Sequence, residues 1–435
     1  MVPTGLLIGM WLAAVPLLGL GVLDPRLPGL GLGVMTALLL VAVADNLLSR
    51  GRTKLEVQRE TPEVLSLGAP NRINITVRSR CPRPLMLVVK DDPPPQFSTP
   101  RRSHRLRLAP WWHQRLSYTT TPLGRGDFRF GNLHLRAVSR LRLSWWQRTV
   151  PAAADVRVYP DVQQVGKWEA LARRGRLQDL GLRTRMRGEG TDFESLREYV
   201  PDDSFRHIDW KATARRGSPI TRQFQIERNQ MLIILLDSGR MMAAPAGELT
   251  RLDLSVNAAV MLAHVAAALG DSVGLLTFSD RLKSFVPPGK GREQTRRILE
   301  ELYALQADPV ESDYRAAVTY LRSRSRKRAL VAAFTDLVDT EVSAQVLAYL
   351  GALPPQHLPM VVTVRDEGLE QLGSQPIGDS LDAYERALAG RVIADRELAL
   401  ARLRRRGAWT CDARPGDLVA AVVNQYLVIK RHGLL

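Results

Sequence analysis

Cysteine is nearly absent: Cys81 and Cys411 are the only two in 435 residues. They lie far apart and outside any metal-binding Cys/His spacing, which excludes a disulfide framework and a zinc knuckle and fits a reducing compartment. The usual catalytic signatures are missing too. The one Gly-x-Ser-x-Gly string, Gly270 to Gly274, leads from a helical pattern into an apolar strand run, the reverse of a nucleophile elbow; there is no His-Glu-x-x-His helix, and Pro288-Gly289-Lys290-Gly291 lacks the spacing and the Ser/Thr of a phosphate loop. His207, in Arg206-His207-Ile208-Asp209, is the only histidine amid acid–base partners. A histidine bonded within its own segment is a simpler account of it than a general base. Acidic residues are under-represented, 44 against 61 Lys and Arg, for a formal net charge of +17. Acidic phospholipid heads, nucleic acid and an acidic protein are the candidate counterparts.

Charge of either sign is missing from Gly5 to Leu23 and again from Gly29 to Ala44, on either side of Asp24-Pro25-Arg26-Leu27-Pro28. Two apolar runs of near-spanning length around a turn predict a transmembrane hairpin over residues 1–50. Gly5 and Gly9, and Gly29 and Gly33, are small residues four apart that would let the two helices approach. Arg50, Arg52, Lys54 and Arg59 follow the second run. By the positive-inside bias the chain is a two-pass protein of the plasma (inner) membrane with both termini cytoplasmic. A cleaved signal peptide is the alternative, since Ala42-Val43-Ala44 imitates a cleavage site; the length of the apolar stretch and the lack of a basic leader argue against it.

Residues 51–160 change character. Short β-branched or alternating segments (55–58, 73–77, 85–89, 116–120, 133–137 and 156–159) separated by Pro and Gly clusters predict a β-sandwich. Within it, Arg101 to Arg148 holds eleven arginines against the single Asp127, together with Trp111, Trp112, Trp145 and Trp146. Arginine interleaved with indoles suits nucleic-acid stacking. It also suits the headgroup level of a membrane, and the hairpin upstream favours membrane or partner contact over nucleic acid.

From 229 to 435 apolar runs of strand length alternate with helical patterns, which predicts a doubly wound α/β domain. The first strand is Met231 to Leu236, and the helices include 252–269, 314–324, 381–404 and 418–430. Asp237, Asp280, Asp336 and Asp339 fall at or just beyond strand ends, where such sheets place their functional crevice.

A linker and a charged strap, 161–228, precede that domain. Glu194, Arg197 and Glu198 have helix-face spacing, which predicts a helix ending before Pro201. Asp202, Asp203 and Ser204 supply turn chemistry, and Phe193, Tyr199, Phe205 and Trp210, with Arg–carboxylate pairs, are expected to hold the strap onto its domain, a binding surface for a partner being the alternative. The order Gly188-x-Gly-x-x-Phe193, Leu196-Arg197-Glu198-Tyr199, Asp202-Asp203 with Arg206, Ile208-Asp209-Trp210-Lys211-Ala212 and Ala214-Arg215 resembles the signature of the bacterial family called domain of unknown function 58. The resemblance implies a von Willebrand factor A-like fold for the C-terminal domain. It also implies a MoxR-type AAA+ ATPase as partner, with other membrane or envelope assembly proteins as clients, and a scaffold's role without catalysis.

Von Willebrand A domains commonly hold a divalent cation through Asp-x-Ser-x-Ser, a Thr and a further Asp. Here the loop reads Asp237-Ser238-Gly239-Arg240-Met241, and Asp336 matches the last acid. Gly239 and Met241 replace both hydroxyls, so a degenerate metal site without a cofactor is expected, with Arg240 paired to Asp237 in place of the cation. Restoring serine at 239 and 241 together with removing Arg240 would favour a cation. Two rival functions stay open: a metal-assisted hydrolase using Asp237 and Asp336, and a nucleic-acid binder using the Arg/Trp segment.

Overall fold

The computed structural model describes residues 2–19, 26–52, 54–161, 192–200, 205–225, 230–337 and 340–433. They fall into two compact units, Met1–Tyr159 and Pro160–Leu435.

The first unit opens with β1 (Val2–Pro3) and two apolar helices, α1 (Gly5–Gly19) and α2 (Leu27–Arg52). Among the described residues one stretch, the 23 residues Leu27–Ser49 of α2, is long and apolar enough to cross a membrane. At 1.5 Å per residue it covers about 34 Å, against a hydrocarbon core of about 30 Å. The 15-residue α1 is apolar but shorter, and it packs along α2. Close approach is provided by Gly31, where a Cβ would lie 3.2 Å from Leu17 and 3.1 Å from Leu18. Gly5, Gly9, Gly29 and Gly33 have nothing within 4 Å of that position, so their spacing makes no such contact.

Eleven strands follow: β2 (Leu55–Glu60), β3 (Val64–Ser66), β4 (Asn71–Ser79), β5 (Leu85–Lys90), β6 (Phe97–Ser98), β7 (Ser103–Leu108), β8 (His113–Pro122), β9 (Gly126–Phe130), β10 (Leu133–Val138), β11 (Ser144–Val150) and β12 (Ala154–Tyr159). They form sheets of order β1-β11-β10-β5-β7, β2-β4-β8-β6 and β3-β12-β9. Strict alternation in β4, where Ile73, Ile75 and Val77 are buried and the residues between them more open, marks a one-sided core. Arg59 does not flank the membrane as its position suggested. Its side chain is buried in this core, bonded to Asp91 at 2.6 Å and lying over the Phe130 ring.

The end of α2 is stitched to the β10–β11 turn. Asp45 accepts from the Leu141 amide at 3.1–3.2 Å, and Ser49 accepts from the Arg140 amide at 2.9 Å. Asn46 donates to the Ser144 hydroxyl at 2.9 Å, and Thr4, ahead of α1, donates to the Arg142 and Leu143 carbonyls. Leu143 is buried against Leu7 of α1 and against Leu38 and Ala42 of α2.

The second unit begins with a module in which β13 (Asp192–Glu198) and β14 (Ile220–Gln225) pair antiparallel around α3 (Trp210–Arg216). The expected helix at Glu194–Glu198 is therefore a strand. Non-local pairing with β14, through a bulge between Phe193 and Ser195, outweighs the helix-like charge spacing. The rest comprises β15 (Met231–Asp237), a short β16–β17 pair (Pro245–Ala246 and Leu249–Thr250), α4 (Arg251–Ala268), β18 (Ser272–Phe278), β19 (Leu282–Gly289), α5 (Gly291–Tyr303), α6 (Tyr314–Arg324), β20 (Leu330–Phe334), α7 (Thr340–Tyr349), β21 (Leu358–Val364), α8 (Glu367–Ser374), α9 (Ser380–Arg405), β22 (Trp409–Ala413) and α10 (Leu418–Arg431). Its sheet has the order β19-β18-β15-β20-β21-β22, parallel except for the edge strand β19. Both faces are covered, one core led by α4 and α10 and the other by α6, α7 and α9. That two-sided burial is why Leu232–Leu236 is continuously apolar. Cys81 and Cys411 are buried free thiols, and burial pushes Cys411 up to about 12.

Candidate functional site

Asp237 ends β15 at the carboxyl edge of the sheet and is buried. Its carboxylate is saturated by neutral donors. The Tyr314 hydroxyl donates at 2.6 Å and the Thr335 hydroxyl at 3.0 Å to one oxygen; the Ser312 hydroxyl and the Gly239 amide, at 2.8 Å, donate to the other. Burial, and then the charge of Asp237, push the Tyr314 phenol well above its ordinary value, so it remains a donor. The ion pair expected between Asp237 and Arg240 does not form. Arg240 bonds Glu311 at 2.9 Å, both side chains about half exposed.

Asp336 follows β20 and is also buried, but it faces a different set of partners. Arg396 of α9 holds one oxygen at 2.8 Å, Arg251 at the start of α4 holds the other, and the Leu337 amide adds a bond of 2.8 Å. The same arginines reach further: Arg251 to Asp366 at 2.7 Å, and Arg396 to Asp412 at 2.7 Å and to the Val364 carbonyl at 2.9 Å. Thr363 and Arg365 complete the shell of Asp412. Burial alone would raise the Asp412 carboxyl, but Arg396 and these donors outweigh it and hold the group below the usual carboxylate range. Of the other strand-end acids, Asp280 accepts from Ser279 at 3.0 Å, and Asp339 lies outside the described residues.

A divalent cation needs about six oxygens of its own. Here the residues do not fit one: Asp237 is occupied by hydroxyl donors and Asp336 by two guanidinium groups. Among the described residues no group of three or more His, Cys, Asp and Glu side chains is arranged to hold a metal. Serine at 239 is no remedy, because a Cβ there would sit 2.1 Å from the Ser312 hydroxyl and 2.9 Å from the Val310 carbonyl. Calorimetric titration of the full-length protein in detergent with magnesium is expected to give no saturable heat. The Gly239→Ser, Met241→Ser double variant is expected to behave the same and to melt lower. Saturable binding by the wild type would contradict this site.

The strap is built differently from the expected charged belt. Asp209 caps α3 by accepting from the Ala212 amide at 3.0 Å, and its other oxygen meets Arg222 at 2.9 Å. The Ala212 amide bond first, and Arg222 next, lower the Asp209 carboxyl. Gly217, at φ 74°, closes the helix in the left-handed region that a side chain would resist. Ile208, Ile220 and Thr221 are buried beneath it. The aromatic anchors, by contrast, face outward: Phe205 is 71% and Trp210 68% exposed, beside exposed Leu196 and Val200. Tyr199 is half-buried with its ring 5.4 Å from that of Phe205. Glu198, Lys211, Arg215 and Arg216 are exposed, and so is Arg197, which donates to the Glu198 carbonyl. The capping expected of Asp202, Asp203 and Ser204 lies outside the described residues, as do the side chains of Phe193, Glu194 and Arg206. His207 is half-buried, and its carbonyl accepts from Thr221.

The Arg/Trp segment resolves into alternating strands. Leu106, Leu108, Leu135 and Trp146 are buried, while Arg105, Arg107, Arg136 and Arg148 face out, and Trp145 is half-buried. Only Trp111 and Trp112 of the four indoles are exposed, in the β7–β8 turn.

Residues 195–383 match the family described as Protein of unknown function DUF58. It is 24% identical over 198 residues to the uncharacterized protein Rv1480 of Mycobacterium tuberculosis, covering 44% of this chain and 62% of the relative. It is 25% identical over 271 residues to the uncharacterized protein YeaD of Bacillus subtilis, covering 60% of this chain and 66% of the relative. The similarity thus spans less than two thirds of the relatives' lengths. Among solved structures, the CARDB domain of a Pyrococcus furiosus protein matches 24% of this chain and 88% of its own at 16% identity, with a TM-score of 0.18. The PapD-like domain 7 of human CEP192 matches 25% of this chain and 87% of its own at 13% identity, with a TM-score of 0.19. Scores that low carry no argument about fold or function.

Proposed function

We propose that this chain is a two-pass membrane-anchored scaffold, in which a β-sandwich and a cytoplasmic von Willebrand A-like domain carry the strap. The strap docks a MoxR-type AAA+ ATPase during chaperone-like assembly or maturation of envelope or secreted complexes. The observation that carries the reading is the exposed aromatic and charged strap, a small fold that buries Ile208 and Ile220 yet turns Phe205 and Trp210 outward. Large exposed aromatics ringed by charge are the composition of protein interfaces, not of solvated loops.

The site offers little to a hydrolase, since Asp237 and Asp336 have no free carboxylate face. The sheet order, with one antiparallel edge, supports the von Willebrand A-like reading. The two-pass reading is supported by the start of α1 lying beside the end of α2: β1 pairs with β11, and Thr4 bonds the same turn that Asp45 and Ser49 hold. A reporter fused after Leu435 is expected to read as cytoplasmic, and one inserted between Asp24 and Pro28 as external. An external C-terminus would overturn the partner assignment.

A further inference from the structure

Four connections meet at one end of the β-region. Leu55 lies opposite Ser79, Leu85 opposite Leu108, and Leu87 opposite Ala137, so the chain enters β2, and loops 80–84, 109–112 and 139–143 turn, at the same edge. Backbone bonds join them: Arg80 to the Lys54 carbonyl at 3.0 Å, Ser79 to the Trp112 carbonyl at 2.8 Å, and Trp111 to the Cys81 carbonyl at 3.1 Å. It is also the edge pinned to α2, where Leu143 is buried beside Leu38 and Ala42 of the charge-free run. With strands about 4.8 Å apart, the β7–β8 turn stands roughly 10 Å across the sheet from the pinned β10–β11 turn.

The exposed side chains of this rim are chiefly of two kinds, apolar and basic. Trp111 is 68% and Trp112 59% exposed, Leu141 and Met86 are exposed with them, and Lys54, Arg140 and Arg142 supply charge. Arg80 is paired with Glu56 at 2.7 Å. Backbone geometry adds an independent mark. Among the described residues two non-glycines have positive φ, Trp111 at 56° in the β7–β8 turn and Arg142 at 60° in the β10–β11 turn. Glycine would adopt that conformation freely, and strained positions bearing bulky side chains gather where those side chains serve a purpose.

We propose that this rim is a lipid-contact surface. Trp111, Trp112 and Leu141 seat at headgroup depth, and Lys54, Arg140 and Arg142 meet the phosphates of anionic phospholipid. The β-region is thereby held against the bilayer instead of swinging from α2. The inference rests on α2 being a membrane anchor, and it gives the excess positive charge a specific counterpart.

The test uses the full chain reconstituted in vesicles of phosphatidylcholine, with and without phosphatidylglycerol, containing phospholipid brominated near the headgroup. The emission of Trp111 and Trp112 is obtained by subtracting the Trp111→Gly, Trp112→Ala variant, whose changes fall on exposed side chains and relieve the strained φ. It is expected to be quenched at least about twofold in anionic vesicles and less in neutral ones, and the Arg140→Gln, Arg142→Gly variant is expected to lose that difference. Unquenched emission in both vesicles from protein that floats with them would overturn the rim alone. Protein released from vesicles by carbonate would remove the anchor and the rim with it. A single-stranded oligonucleotide that shields these indoles at physiological salt, when lipid does not, would assign the rim to nucleic acid and overturn the proposal.

Discussion

Arg396→Ala is expected to destabilise the α/β region by about 3–5 kcal/mol, lowering the melting temperature by roughly 10 °C. The guanidinium group is buried between Asp336 and Asp412, and its loss leaves two buried carboxylates with too few partners. Arg240→Ala is the control, because its exposed pair with Glu311 is worth no more than about 1 kcal/mol. The pH dependence follows from Asp412. Its folded-state carboxyl is held below the unfolded value, so its contribution is complete above the unfolded value and is lost as pH falls through the folded one. In Arg396→Ala burial acts with less opposition and raises that carboxyl, so the deficit against wild type narrows between neutral pH and pH about 4. Differential scanning fluorimetry across that range measures both effects, and a deficit independent of pH would contradict the role given to Arg396.

Trp210→Ala is expected to weaken partner binding by about 2 kcal/mol or more, roughly 30-fold, while leaving the melting temperature within about 1 °C of wild type. Were the indole a core anchor, truncation would cost about 3–5 kcal/mol of stability instead. The 68% exposure of Trp210 decides between these outcomes before the measurement. Phe205→Ala should behave like Trp210→Ala. Ile220→Ala, at a buried position beneath the same surface, should instead lose stability and binding together.

Periodicity read the α/β region well because its strands are buried on both faces and its helices are long. The helix expected at 314–324 occupies those residues, and the strand expected from Met231 to Leu236 is present. In the β-region β7 and β11 were hidden. Arg105-Leu106-Arg107-Leu108 alternates as a strand must, but its charge drew attention to the arginines and away from the leucines. The strap misled for a different reason. Three- and four-residue charge spacing also fits an exposed strand, and the pairing partner of β13 lies more than twenty residues downstream, beyond the reach of any local pattern.

At the site, the absence of side-chain hydroxyls at Gly239 and Met241 was legible, whereas the partners of the buried carboxylates were not. The side-chain donors to Asp237 come from Ser312 and Tyr314 at the start of α6 and from Thr335 after β20, all distant in sequence. The partners of Asp336 are Arg251 and Arg396, which in sequence resemble the many arginines of solvated helix faces. Only the fold brings them to one carboxylate.

The central claim, a membrane-anchored scaffold that docks an ATPase through an exposed strap, is tested most directly by affinity capture of the full-length protein from detergent-solubilised native membranes. Wild type and Trp210→Ala are captured in parallel and their partners identified by mass spectrometry. A AAA+ ATPase recovered with wild type and at least tenfold depleted with an equally stable Trp210→Ala is the predicted result. Absence of any such ATPase from the wild-type capture, or its undiminished recovery with Trp210→Ala, would contradict the account.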